Sequence, residues 1–213
     1  SLSEYFHELP ENTPETSRSL RLYLAMKELK KDWDFDYYTV QSFPGLGDDY
    51  SATCFMQSMM LEDRVPTSPL SDFNSLMSVI LLNALSTDPV YYGDLQHINK
   101  ANNEVKIIAD GTIPPSLAGK LSGGKASFAT HGIPTEGSAG GLSVSLVAKE
   151  GKGVLARMYR NDGKFEMELA KCEIFEPSED EIEERKLECG IPFWPHAFVK
   201  VDGDIEKLLQ NWN

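Results

Sequence analysis

Val105-Lys-Ile-Ile-Ala-Asp-Gly-Thr-Ile-Pro-Pro-Ser-Leu-Ala118 decides how this chain is read. Val105 to Ala109 is a short, largely apolar run of the kind that fills a buried strand. The pattern breaks at Asp110-Gly111-Thr112, and Pro114-Pro115 rules out further strand or helix. Polar side chains and free backbone groups at the end of a buried strand are where mixed α/β proteins often place ligands.

Outward from this run, the two halves of the chain differ in rhythm. Thr13-Pro14-Glu15 reads as an N-cap followed by proline at the first helical position. Leu22, Ala25, Met26 and Leu29 continue at helical spacing and predict a helix over 14–32. Asp36 to Phe43 is aromatic and β-branched, hence a strand, with Pro44-Gly45-Leu46-Gly47 as the loop after it. Residues 50–62 and 71–85 carry apolar faces and predict two further helices. Asp88 to Leu95 reads as a strand, and Asn99 to Asn103 as a turn. Alternation of this kind favours a parallel or mixed sheet over residues 1–103.

Past residue 103 the signal is short strands with turn punctuation, at 104–110, 125–131, 141–149, 154–160 and 165–175. Asp162-Gly163, between VLARMYR and FEMELA, is a strong hairpin signal. These strands predict an antiparallel barrel or sandwich over 104–213. The Gly132–Gly140 loop has no Gly-Lys-Ser/Thr and is no phosphate-binding loop. Residues 176–188 are dense in charge and predict a short solvated helix, and a terminal helix follows from Asp204.

Composition narrows the function. The chain has 213 residues, is 41% hydrophobic, and carries a net charge of -13. Phosphate binding needs a concentrated positive field, so nucleic acid and anionic membrane surfaces are unsuited partners. Cys54, Cys172 and Cys189 are scattered and odd in number, which with no apolar run of membrane-spanning length predicts a reduced, cytoplasmic setting. The start at Ser1 reads as a processed or partial piece. HExxH, GxSxG, CxxC and GxGxxG are all missing. The methionines Met56, Met59, Met60 and Met77 read as core.

The order of the remaining motifs resembles a known family. VYYGDL (with Asp94), the Asn-Asn turn, IIADGTIPPSLA, Thr130-His131-Gly132 and Phe193-Trp194-Pro195-His196-Ala197-Phe198-Val199 follow one another as in the C-terminal half of the L-fucose and L-arabinose isomerase superfamily. The resemblance spans roughly residues 18–213. It implies an α+β fold, with the end of an α/β domain (1–103) followed by a small antiparallel β-barrel with a terminal helix (104–213). It implies aldose–ketose isomerisation of a sugar on Mn²⁺ or another divalent metal, in a homo-oligomer. In that chemistry two sugar oxygens bind the metal, and a carboxylate moves a proton between neighbouring carbons.

Carried onto this sequence, the resemblance makes Asp94 a catalytic residue and metal ligand, and the alternative reading of Asp94 is a strand-end aspartate. Asp110 stands as an oxygen ligand and His196 as an imidazole ligand or a sugar contact. His131 is a second sugar contact. The family's metal-binding glutamate is matched by Leu70, in Pro69-Leu70-Ser71-Asp72, and its strand-end histidine by Ala109. Leucine and alanine neither ligate metal nor transfer protons. Asp72 reads best as the start of a helix. Two functions follow, a metal-dependent isomerase-like protein, or a non-catalytic carbohydrate-binding or structural homologue with no cofactor of its own.

Overall fold

A computed structural model describes residues 1–130, 139–187 and 194–211. The fold is α+β, as expected. Helix α1 (Pro14–Trp33) begins where the sequence predicts, with the Thr13 hydroxyl accepting from the Thr16 amide at 3.2 Å. Helix α2 (Cys54–Glu62) is buried on every side from Cys54 to Leu61, so its Met and Phe side chains are core. Helix α3 (Phe73–Leu85) starts at Asp72, whose carboxylate accepts from the Ser75 amide at 3.1 Å. That is the helix-start role expected for Asp72.

The parallel pairing anticipated for residues 1–103 is confined, among the described residues, to two short strands, β1 (Tyr38–Thr39) and β2 (Thr67–Ser68). The main sheet is antiparallel. Strands β3 (Asp94–Asn99) and β4 (Glu104–Ile108) form a hairpin, so the boundary expected at 103/104 falls at the start of β4. A second hairpin, β5 (Ser127–Thr130) and β6 (Leu142–Ser145), stands apart. Strands β7 (Gly151–Asn161) and β8 (Lys164–Phe175) join at Asp162-Gly163, with φ of 46° and 79°. Positive φ at both central residues makes the tight turn that matches strand twist, as Asp-Gly predicts. Strand β9 (His196–Val201) completes the sheet in the order β3-β4-β9-β8-β7. The short charged helix α4 (Ile182–Leu187) and the terminal helix α5 (Ile205–Asn211) both form. The principal core runs from Phe6 to Leu208, so both halves of the chain contribute to it.

The described strands do not close into the expected barrel, and the reason is visible. The sheet curls until its two edges, β3 and β7, line opposite sides of one cleft, and α3 occupies the gap. The Ser78 hydroxyl on α3 accepts from the Met158 amide of β7 at 2.8 Å. A side chain thus takes a backbone group that a closing strand would have paired.

After β4 the chain makes the turn that the sequence marks with Asp110-Gly111-Thr112. Gly111 has φ of +87°, and a Cβ there would lie 2.5 Å from the Ser143 Cβ. Its carbonyl accepts from the Val144 amide at 3.0 Å and the Ser58 hydroxyl at 3.2 Å. The same Ser58 oxygen accepts from the Ile113 amide at 2.9 Å. Gly111→Ala meets both a disfavoured φ and a blocked space, and the expected loss is about 2–5 kcal/mol. Gly151→Ala, where a Cβ meets nothing within 4 Å, should stay within about 0.5 kcal/mol. Urea denaturation of the two variants beside the parent chain measures the difference, and equal stabilities would refute the packing account.

Candidate functional site

The cleft between α3 and the curled sheet has a volume of ≈ 400 Å³, within the range of small-molecule sites. Its floor is apolar, from Val79, Leu82, Val90 and Ile107. Its polar groups are Asp72 and Ser75 at the start of α3, Tyr92 and Asp94 at the start of β3, and Arg157 on β7. They arrive from three elements, each for a local reason. Asp72 is held by its capping bond. Tyr92 and Asp94 enter where Pro89 to Gly93 cross from α3 to the sheet before the ladder begins at Asp94. Arg157 is exposed and stands at the rim of the cleft, on the strand face it shares with the partly buried Leu155.

Tyr92 is the electrostatic centre. Burial pushes its phenol pKa up, and the Asp94, Asp72 and Asp110 carboxylates push the same way, against a contact with the Ser75 hydroxyl that pulls it down. Tyr91 beside it is raised chiefly by burial, and Asp110 adds to the rise. The Tyr91 hydroxyl donates to the Pro195 carbonyl at 2.9 Å. This ties the approach to β3 across β4 to the segment before β9.

Asp94 is exposed at the mouth of the cleft. Asp110 stands within electrostatic reach of the same tyrosines. His196 goes elsewhere. It is fully buried, and its ring stacks on Phe198 with centroids 6.1 Å apart. Asp94 and His196 both lie opposite Ile108, on the two sides of β4. They are two strand spacings apart, roughly 10 Å, with Ile108 between them. Asp94, Asp110 and His196 do not converge in this chain. Among the described residues no three His, Cys, Asp or Glu side chains gather as a metal-binding group. The donor set that the resemblance implies does not fit one ion as it stands.

His131 lies outside the described residues. Leu70 is 57% exposed with φ of +57°, and Ala109 is buried at the end of β4, so neither offers chemistry to the cleft. Sequence reasoning missed Ser75, Tyr92 and Arg157. Tyr92 sits two residues before Asp94 and was within reach of it. Arg157 is brought in only by the curl of the sheet, which no local pattern announces.

No protein-family model matches the chain, and no curated protein matches its sequence.

Tyr38, Tyr91 and Tyr92 all have phenols raised above the ordinary 10.0 by burial. The folded state keeps these protons where the unfolded chain gives them up. Their contribution to stability is complete below pH 10 and falls as pH rises above it, by up to about 1.4 kcal/mol per pH unit for each phenol. Urea midpoints should hold from pH 8 to near 10 and then drop, and Tyr91→Phe should flatten the drop. A midpoint indifferent to pH between 9 and 11 would refute the burial of these phenols.

Proposed function

We propose that the cleft binds a sugar, in a non-catalytic, carbohydrate-binding relative of the fucose and arabinose isomerases. One observation carries the reading. Carboxylates, hydroxyls and a guanidinium (Asp72, Asp94, Ser75, Tyr92 and Arg157) ring an apolar floor in a cleft of ≈ 400 Å³. A sugar presents that combination in reverse, with hydroxyls around its rim for charged acceptors and donors and C–H faces for the apolar floor and an aromatic ring. The substitution of Leu70 and Ala109 for the polar residues the family resemblance anticipates supports binding over turnover. So does the burial of His196 away from Asp94.

An isomerase-like role belongs to the second reading. It requires a divalent metal, Mn²⁺ by resemblance, with Asp94 and Asp110 as oxygen ligands and the rest of the coordination supplied from outside this chain in a homo-oligomer. Its motivating observation is that Asp94 and Asp110 both act on the Tyr92 phenol.

Calorimetric titration with L-fucose, L-arabinose and their ketoses separates the two. The first reading expects saturable binding with no metal added. It also expects Asp94→Asn to weaken that binding about 10- to 100-fold, the worth of one charged hydrogen bond. Binding that appears only with Mn²⁺, together with interconversion of aldose and ketose, selects the second. No binding of any sugar with or without Mn²⁺ refutes both.

A further inference from the structure

Helix α3 has a second face. Phe73, Met77, Leu81 and Leu85 follow one another at a strict spacing of four residues and form one ridge along the helix. They are 68%, 41%, 38% and 85% exposed, and Leu70 just before the helix is 57% exposed. The cleft-lining residues Ser75, Ser78, Val79 and Leu82 lie on the opposite flank. The ridge is therefore independent of the sugar-binding reading.

We propose that this ridge is the contact through which two copies of the chain pair, α3 against α3, about a two-fold axis between Met77 and Leu81. The first support is area. The five side chains leave roughly 500 Å² of apolar surface in water, at the upper end for one patch on a soluble monomer. Two such faces bury about 1,000 Å² together, where specific interfaces begin.

The second support is charge. The protein carries -13 overall, yet the 13 residues of α3 hold no charged side chain. Two copies meet there without like-charge opposition. A basic or acidic partner would find nothing complementary, and an anionic bilayer no cation to hold.

The third support is shape. A ridge of i, i+4 residues seats in the groove beside the same ridge on a like helix. A two-fold axis across the ridge runs the helices antiparallel, so their dipoles oppose favourably. Met77 of one copy then lies near Leu81 of the other, and the helix ends splay at the crossing angle of about 50° that this ridge packing sets. A self-complementary patch of this kind is what two-fold symmetry requires.

Sedimentation velocity across the micromolar range tests the proposal. The chain should run as a dimer. Met77→Glu places a carboxylate on each side of the axis and should weaken pairing at least ~100-fold, with the circular dichroism spectrum kept, since Met77 is exposed in the monomer. Leu169→Glu, on the exposed face of the β7–β8 ribbon and 59% exposed in the parent chain, should leave the dimer intact. A monomeric parent chain, or a dimer that survives Met77→Glu, overturns the proposal. If Met77→Glu does not fold, a chain carrying both Met77→Cys and Leu81→Cys, the positions beside the axis, replaces it. Mild oxidation should link two copies covalently, and failure to cross-link overturns the pairing.

Discussion

Three parts of the molecule meet at one backbone carbonyl, that of Gly111. It accepts from the Val144 amide and shares the Ser58 hydroxyl proton with the nearer Cys54 carbonyl, while the Ser58 oxygen accepts from the Ile113 amide, so the end of β4, β6 and the buried helix α2 are tied together around one peptide group. A buried carbonyl with two partners is satisfied only in one arrangement of all three. The left-handed φ that makes this possible leaves no room for a side chain. Much else follows from that fixed point. The Ser116 amide donates to Glu62 at 3.0 Å, and the Lys149 amide to the Leu117 carbonyl at 2.8 Å. The Asp110–Ala118 stretch thus runs as a seam between helix and sheet.

The seam also decides where the cleft lies. Because β4 leaves the sheet abruptly, the polar groups at its end turn toward α2, while those at the start of β3 turn toward α3. Asp110 acts on both Tyr91 and Tyr92, and Asp94 on Tyr92. Gln57 and Ser58 show the same economy of polar groups inside α2, where Gln57 donates to the Thr53 hydroxyl at 2.8 Å. Hydroxyl and amide contacts thus thread an otherwise apolar interior.

The helices were legible in the sequence because their starts are chemical. Thr13-Pro14 and Asp72 cap α1 and α3 as their side chains predict, and Asp162-Gly163 sets the β7–β8 register unaided. Strand β9 was not legible. Its run Ala197 to Val199 is apolar without alternation because β4 and β8 flank it and both its faces are covered, and periodicity is silent in that case. The strand expected at 88–95 is shifted, since Tyr91 and Tyr92 spend their aromatic character on packing and field rather than on a ladder. Of the site, Asp94 could be read because it stands beside a recognisable strand start. Arg157 could not, because it reaches the cleft only through the curvature of a five-stranded sheet. The placement of His196 shows the converse. A motif can be legible in sequence and still lie on the wrong side of a strand from its expected companion.

The β7–β8 ribbon reaches well past its neighbours. Eleven cross-strand pairs link its two strands, but β9 accompanies β8 only over Cys172–Phe175. Beyond Met158, which Ser78 holds, the ribbon is secured by its own ladder and turn. Two-stranded ladders in water are marginal by themselves, so changes at this end disturb little of the body. Lengthening a loop there adds only about 0.6 kcal/mol of closure entropy per doubling. The Asp162-Gly163 tip is accordingly the natural port for grafting a foreign peptide or relocating the chain ends.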